Sequence, residues 1–567
     1  MRRTLVSPIQ PDLGVITIAW LGLALLANPT GEFPLNDDWS YSRSVQTLLS
    51  QGRLELTGFT AMPLLAQVLW GAIFCLPFGF SFMALRVSVW LLGLAGLIAT
   101  YVLLRALSAP RGLMLLAVLL LGVNPLYFAL SMSFMTDVPF IALSVASLCY
   151  LTHGLRTGAR LSLGVGFVLA LLALMIRQLA LAIPIAFCLA YAAGRGFRTK
   201  TLIFGSLPTL SALGVLGAYQ LLLRFTTGLP RLYNRPYDPI LESSPLNVFA
   251  LAAELLKRTG IELVYLGVFL LPLSVIVAAS HWRHAPTRRR LLGAGSGLAV
   301  FLVGTGWLLA NGELMPLSGN VLYDVGVGPP LLRDTYVLAL PHLPRAPQLF
   351  WLAVTAGGVV GAILLAFLAF ETVRSLVWRR ATMAVRRETV PIILATSAGG
   401  LYFGLATVTG FLDRYLIWMV PLGMVCVVAA ARRQPVGYRW MSHVCLGLVA
   451  GYGLFSVAAT HDYFAWNRAR WQALNYLMDD VGASSMEVDG GFEFNGWYDY
   501  DPNYRERAGV SWWWVRGDQY VVAFGPLNGY TEMQRFAYDR WLPSGQGAVM
   551  ILRKQPAGDE MTAAEPG

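Results

Sequence analysis

Apolar stretches of about 18 residues or more recur along the chain, separated by short polar breaks that hold most of the arginines. Each is long enough to cross a hydrocarbon core of about 30 Å, and unpaired backbone amides are not tolerated in lipid, so such stretches must be helices. The pattern predicts a first helix over about 13–29, a polar segment over 30–60 and a further apolar stretch over 61–80. That last stretch ends in Pro77-Phe78-Gly79-Phe80-Ser81 without a charge. Positive loops belong in the cytoplasm, and if 61–80 crossed, Arg105 and Arg111 would fall outside. It is therefore read as a re-entrant or interfacial helix, with the second span over 82–105.

The remaining basic clusters then share one face: Arg105/Arg111, Arg156/Arg160, Arg195/Arg198/Lys200, Arg283/Arg288/Arg289/Arg290, Arg374/Arg379/Arg380/Arg386/Arg387 and Arg432/Arg433/Arg439. The opposite face holds Asp37, Asp38, Asp137, Asp238, Glu242, Glu313, Asp324, Asp334 and Asp413. The expected fold is a polytopic α-helical membrane protein of about 13 transmembrane helices, integral to the plasma or inner membrane, with its N-terminus in the cytoplasm. Its membrane domain covers 1–461, with outer segments over 30–81, 224–260 and 311–346. The N-terminal apolar run is expected as an uncleaved first helix rather than a signal peptide, because it is long enough to span and many spans follow.

From about 462 the apolar runs shorten. Polar residues alternate with aromatic and β-branched ones over 486–489, 519–524 and 548–552, and 468–478 reads as an amphipathic helix. A small α/β domain over 462–556 on the non-cytoplasmic (periplasmic) side is expected, followed by a disordered tail over 557–567. The run Trp512-Trp513-Trp514, with Trp497 and Tyr498, is suited either to the core of that domain or to stacking on sugar rings.

Composition agrees with a membrane protein. Of 567 residues only 13% are charged, about half the fraction usual in soluble chains. The net charge of +11 does not point to nucleic acid, because the basic residues lie in short clusters between apolar spans. Five cysteines in apolar stretches and six scattered histidines offer neither a disulfide framework nor a metal-binding spacing.

The sharpest local signal is Asn36-Asp37-Asp38-Trp39-Ser40-Tyr41, just beyond the first span. Two adjacent carboxylates at a membrane boundary are costly to desolvate and are expected to face a water-filled cavity, or else to cap a helix whose apolar residues Val45, Leu48 and Leu49 lie in the interface. Other polar groups fall on the same face: Arg86 at the start of the second span, Asp137 in Met135-Thr136-Asp137-Val138-Pro139, Arg177-Gln178 at a helix hairpin, and Asp413-Arg414-Tyr415. Three arginines and four aspartates exceed what anchoring needs, and together they can bind a phosphate and activate a hydroxyl. The segment 311–345, rich in glycine, is suited to a lid or to an ordered structural loop.

This order of motifs resembles the GT-C fold glycosyltransferases that use lipid-linked sugars, with the protein mannosyltransferase group (glycosyltransferase family 39) and the aminoarabinose transferase of lipid A as the nearest. The resemblance is carried by the Asp37-Asp38 first loop, Met62-Pro63-Leu64, Arg86, Thr136-Asp137-Val138-Pro139, Arg414-Tyr415-Leu416 with Pro421, the thirteen helices and the outer C-terminal domain. Two features depart from that pattern: the usual Asp-Glu pair is Asp-Asp, and no charged residue or histidine precedes the first-loop proline (Ala61-Met62-Pro63). The resemblance implies transfer of a sugar from a polyprenyl-phosphate donor to a glycan, lipid or protein acceptor, with inversion. Asp37 and Asp38 would be the catalytic pair; Arg414, Arg86, Arg177 and Tyr415 would bind the donor phosphate; Asp137, Trp39 and Tyr41 would support them or orient the sugar. It leaves open a divalent metal ion at the carboxylates. The readings from other classes are a secondary transporter, whose ionisable groups would sit near mid-membrane, and a structural subunit of envelope-glycan assembly.

Overall fold

The computed structural model describes residues 10–234, 248–284, 287–377, 383–431, 439–506 and 513–556. The expected tail over 557–567, the loop acids Asp238 and Glu242, the arginines Arg379, Arg380, Arg432 and Arg433, and Trp512 lie outside the described residues.

The chain is a polytopic α-helical membrane protein. Among the described residues eleven helices are long and apolar enough to cross a membrane, the first Gln10–Ala27 and the last within Ser442–Asp480. Two of the thirteen expected positions hold shorter helices, Arg111–Gly122 (α5) and Arg160–Leu174 (α8). The reason at α5 is local. Asn124 accepts hydrogen bonds from the amides of Leu126 and Tyr127 and so starts a new helix, Pro125–Leu130 (α6), whose proline at the first position has no amide to offer the preceding turn.

The chain between the first two spans forms two helices, Asp38–Gln51 (α2) and Leu65–Cys75 (α3). Eleven residues make only ~16 Å of helix, about half the hydrocarbon thickness, so α3 does not cross. Its lead-in is tied to the turn after α8. The Leu64 and Ala66 amides donate to the carbonyls of Ile176 and Met175 (3.3 and 3.2 Å), and Tyr219 Oη donates to the Pro63 carbonyl (2.7 Å).

Within the bundle, Phe82–Arg105 (α4) packs on Asp137–Thr157 (α7), and Val248–His284 (α11) on Gln348–Val377 (α13). The second pair needs glycine, since a Cβ on Gly267 would run into the backbone of Gly358 and Ala362. Small residues that let helix backbones touch are the main way such pairs gain contact in lipid. All five cysteines are free.

The expected boundary at 461/462 is not a break. A single helix of 37 residues, Arg439–Asn475 (α16), runs through it, so the amphipathic segment over 468–478 is in large part the continuation of the last span. Its length of ~55 Å exceeds the hydrocarbon core and carries the chain into the C-terminal domain. That domain has a four-stranded sheet in the order β3-β4-β6-β5, formed by Val488–Asp489, Tyr520–Ala523, Ser544–Lys554 and Tyr530–Trp541. β3 pairs parallel with β4, and the other pairs are antiparallel. β5 was not expected. It is an edge strand with mostly exposed side chains, so it lacks the apolar alternation that marks a strand in sequence.

The loop over 311–346 is ordered and tied on both sides. Its short hairpin, Leu322–Tyr323 with Gly326–Val327, is held by Asp413, whose carboxylate accepts from the amides of Val321, Leu322 and Arg414. Toward the sheet, Phe524 N donates to Asp334 (3.0 Å), and Arg333 pairs with Asp518 (3.1 Å). Burial alone would raise the Asp518 carboxyl, but hydrogen bonds from Lys554, Tyr530 and Arg333 pull it down to about 2. A folded value below the unfolded one means that this link is complete above about pH 4 and is lost as pH falls toward 2. Acid titration of the sheet's stability is expected to show a loss of about 2 kcal/mol in that window, absent in Asp518→Asn.

Candidate active site at the Asp37 end of the bundle

Asp37 closes the loop after the first span and precedes α2. Its carboxylate lies 2.8 Å from Nη2 of Arg414, which stands at the start of the 3-10 turn Asp413–Trp418. The residues are 377 positions apart, and their side chains are only 15% and 5% exposed. A second pair stands beside the first: Arg177 Nη1 is 2.9 Å from Asp137 Oδ1, and Arg177 Nε donates to Thr136 Oγ1 (2.8 Å). Neither oxygen of Asp137 accepts a well-directed hydrogen bond, although the side chain is 1% exposed. Nε of Arg414 is likewise buried without an acceptor.

Tyr415 joins the two arginines. Its ring centroid lies 5.2 Å from the guanidinium carbon of Arg177 and 5.6 Å from that of Arg414. Its own carbonyl is pinned by the hydroxyl of Tyr402 (2.7 Å). Tyr41 is buried at the same place, and its phenol is pushed well above the usual tyrosine range, first by burial and then by the charge of Asp37. Asp37, Arg414, Arg177, Asp137, Tyr415 and Tyr41 therefore form one cluster of predicted residues from four separate stretches of chain.

Three predicted residues lie elsewhere. Asp38 turns away from its neighbour: one oxygen accepts from Leu35 N (2.6 Å) and the other from Phe134 N (3.0 Å). Burial drives its carboxyl up to about 8 against those two amides, and with both oxygens already accepting from the backbone it is turned away from the cluster. Arg86 points its guanidinium at the carbonyls of Pro29, Gly31 and Phe33 (2.8–3.1 Å) and lies over the rings of Phe33 and Phe464. It shapes the first loop and joins none of the acidic side chains of the cluster. Trp39 is fully buried among Phe59, Phe492, Tyr500 and Trp514, where no sugar ring can reach it. Trp513 and Trp514 share that core, so the described part of the tryptophan run is packing.

Sequence reading missed the support from the C-terminal domain. Glu493, in Phe492–Asp499 (α17), accepts from the amide of Asn36 (3.0 Å) and pairs with Arg470 of α16 (2.7 Å), both side chains being fully buried. Nothing in the local sequence marks Glu493, because its partners are 23 and 457 positions away. Asp413 was noticed for its charge, but its role as anchor of the hairpin over 322–327 is visible only in three dimensions.

The donor set does not suit a divalent ion. Among the described residues no group of three or more His, Cys, Asp or Glu is gathered, and the two open carboxylates, Asp37 and Asp137, each face a guanidinium. The stretch that carries Arg177 also contributes Leu174 and Ala180 to a separate apolar cavity that none of the cluster's side chains lines. This cavity of about 230 Å³ opens between α8, the turn Gln178–Leu181 and the helices Ala182–Arg195 and Thr199–Phe225, lined by Phe167, Leu171, Leu174, Leu181, Leu207 and Ser211 among others.

No protein-family model matches the chain, and no curated protein matches it. Among solved structures it is similar to ArnT from Cupriavidus metallidurans bound to undecaprenyl phosphate, at 12% identity and a TM-score of 0.39, over 86% of this chain and 84% of that one. It is similar also to the apo state of the same protein, at 13% identity and a TM-score of 0.36, over 84% and 83%.

Proposed function

We propose that the protein is a membrane glycosyltransferase that takes a sugar from a polyprenyl-phosphate donor and passes it to an acceptor hydroxyl at the non-cytoplasmic face. The observation that supports this most directly is the pairing of Asp37 with Arg414 beside Arg177, Asp137 and Tyr415. A carboxylate and two guanidinium groups are what the head of a lipid phosphate sugar needs, a base for the acceptor and cations for the leaving phosphate, and the apolar cavity among α8 and the helices that follow it is the place this reading gives to the chain.

In this reading the donor phosphate binds across Arg414 and Arg177, drawing Arg414 from Asp37 and leaving that carboxylate free to accept a proton. The acceptor oxygen attacks the anomeric carbon as its proton passes to Asp37. The bond from that carbon to the phosphate oxygen breaks, and its electron pair stays on the prenyl phosphate, where the two arginines stabilise it. Attack opposite to the phosphate inverts the centre. Asp137 holds Arg177 in place, Tyr41 and Tyr415 line the cluster, and Asp38 and Arg86 act as positioning residues for the loop that carries Asp37.

The test is to incubate the purified protein with a polyprenyl-phosphate sugar and acceptor extracts and to follow release of the prenyl phosphate. Absence of both binding and turnover of any such donor sinks the proposal. The cavity adds a sharper expectation. Ser211→Phe, which fills it from an exposed position, is expected to raise KM for a long-chain donor about tenfold while a short-chain analogue is unaffected, because only the long chain loses apolar contact.

A further inference from the structure

A second cavity lies at the opposite end of the bundle. About 28 Å of helix separates Arg86, beside the Asp37 loop, from Arg105 at the other end of α4. There α4 and α7 leave a cavity of about 510 Å³. Higher up the two helices touch: a Cβ on Gly96 would lie 3.4 Å from the Cα of Ala142. Near their ends Arg156 reaches across to donate to the Ala106 carbonyl (3.0 Å).

The lining is basic and polar on one side and open to lipid on the other. Arg105, Arg156 and His153 contribute to it, together with Thr152 and Val102. The guanidinium of Arg105 has no hydrogen bond or ion pair among the described residues. Asp12, the carboxylate within electrostatic reach of it, is already held by Tyr101 and Arg111. Thr152 is 2% exposed, yet its hydroxyl has no partner among the described residues, although it lines the cavity. A buried hydroxyl without a partner costs free energy comparable to a lost hydrogen bond, so a ligand acceptor at this place would recover it. Val102, in the lining, is 39% exposed, as side chains that meet acyl chains are.

We propose that this cavity binds the headgroup of an anionic glycerophospholipid, its phosphate between Arg105 and Arg156 with Thr152 as a donor and its acyl chains along the outer side of α4 and α7. The charge is complementary, and basic pockets between transmembrane helices are suited to anionic headgroups of the leaflet that is rich in them. The site is independent of the transferase reading, since it lies at the other end of the bundle.

The test uses full-length protein reconstituted in nanodiscs of phosphatidylcholine doped with phosphatidylglycerol, with native mass spectrometry reading the lipid retained. The wild type is expected to keep phosphatidylglycerol in preference to phosphatidylcholine, and Arg105→Gln to keep about fivefold less of it, the loss expected of one arginine near a membrane surface. Arg160→Gln removes the same charge from the start of α8, outside the cavity, and is expected to change nothing. Thr152→Val, which keeps both arginines, is expected to lower retention by a smaller factor, and it replaces Arg105→Gln as the deciding variant if the latter does not fold. Equal retention of the two lipids, equal loss in Arg105→Gln and Arg160→Gln, or displacement of the lipid by inorganic phosphate would each overturn the proposal.

Discussion

Asp37→Asn is expected to lower kcat for transfer from a polyprenyl-phosphate sugar about 10²–10⁴-fold, the usual contribution of a positioned general base. The amide has the shape of the carboxylate but cannot take a proton from the acceptor. Its carbonyl can still face Arg414, and the backbone bond from Ser40 N to the Asp37 carbonyl is untouched, so the thermal midpoint should fall by less than a full truncation of the pair would cause, and far less than activity does. Asp38→Asn is expected to behave in the opposite way. Leu35 N and Phe134 N both need an acceptor, and an asparagine has only one, so one buried amide is left unpaired at a cost of about 1–3 kcal/mol. Activity would then fall with stability, and residual enzyme at low temperature would keep a measurable turnover. Full transfer activity in Asp37→Asn would rule out the base assigned here. Wild-type stability in Asp38→Asn would rule out the pin.

That two neighbouring aspartates have such different surroundings shows what the chain's linear pattern can and cannot carry. The spans were legible because a length of apolar residue meets a fixed membrane thickness. The cluster was legible in part because charge at a helix end is expensive, so Asp37, Asp137, Arg177 and Arg414 stood out without any knowledge of their partners. Which oxygen faces which donor is a different matter. The orientation of Asp38 is decided by Phe134 N, 96 positions away, and that of Arg86 by three loop carbonyls. Trp39 was expected from the resemblance to support the carboxylates or orient the sugar, and it is instead buried against a domain that begins more than 400 residues later. The continuous α16 was hidden for a simpler reason: composition changes from apolar to amphipathic at about 462, while the helix runs on to Asn475.

The reach of the C-terminal domain into the first loop leads to the second large expectation. Glu493→Ala leaves Arg470 buried at 0% exposure without its carboxylate, and a broken pair of that kind costs about 3–5 kcal/mol. Arg470 keeps its two bonds to the Gly490 carbonyl (2.9 and 2.7 Å), so its charge is not wholly stranded, which favours the lower part of that range. The same change removes the acceptor of Asn36 N, the residue before Asp37, and so loosens the base as well as the domain. The two effects can be separated. Replacing the pair together, Arg470→Met with Glu493→Leu, removes both charges and is expected to restore most of the stability, since a buried ion pair is seldom worth more than well-packed apolar groups. It does not restore an acceptor for Asn36. If Glu493 acts only through the fold, thermal midpoint and kcat should recover together in the double variant. If it also positions Asp37, the midpoint should return while kcat stays depressed, and Glu493→Gln, whose amide oxygen can still accept from Asn36, should retain more turnover than Glu493→Ala at equal stability.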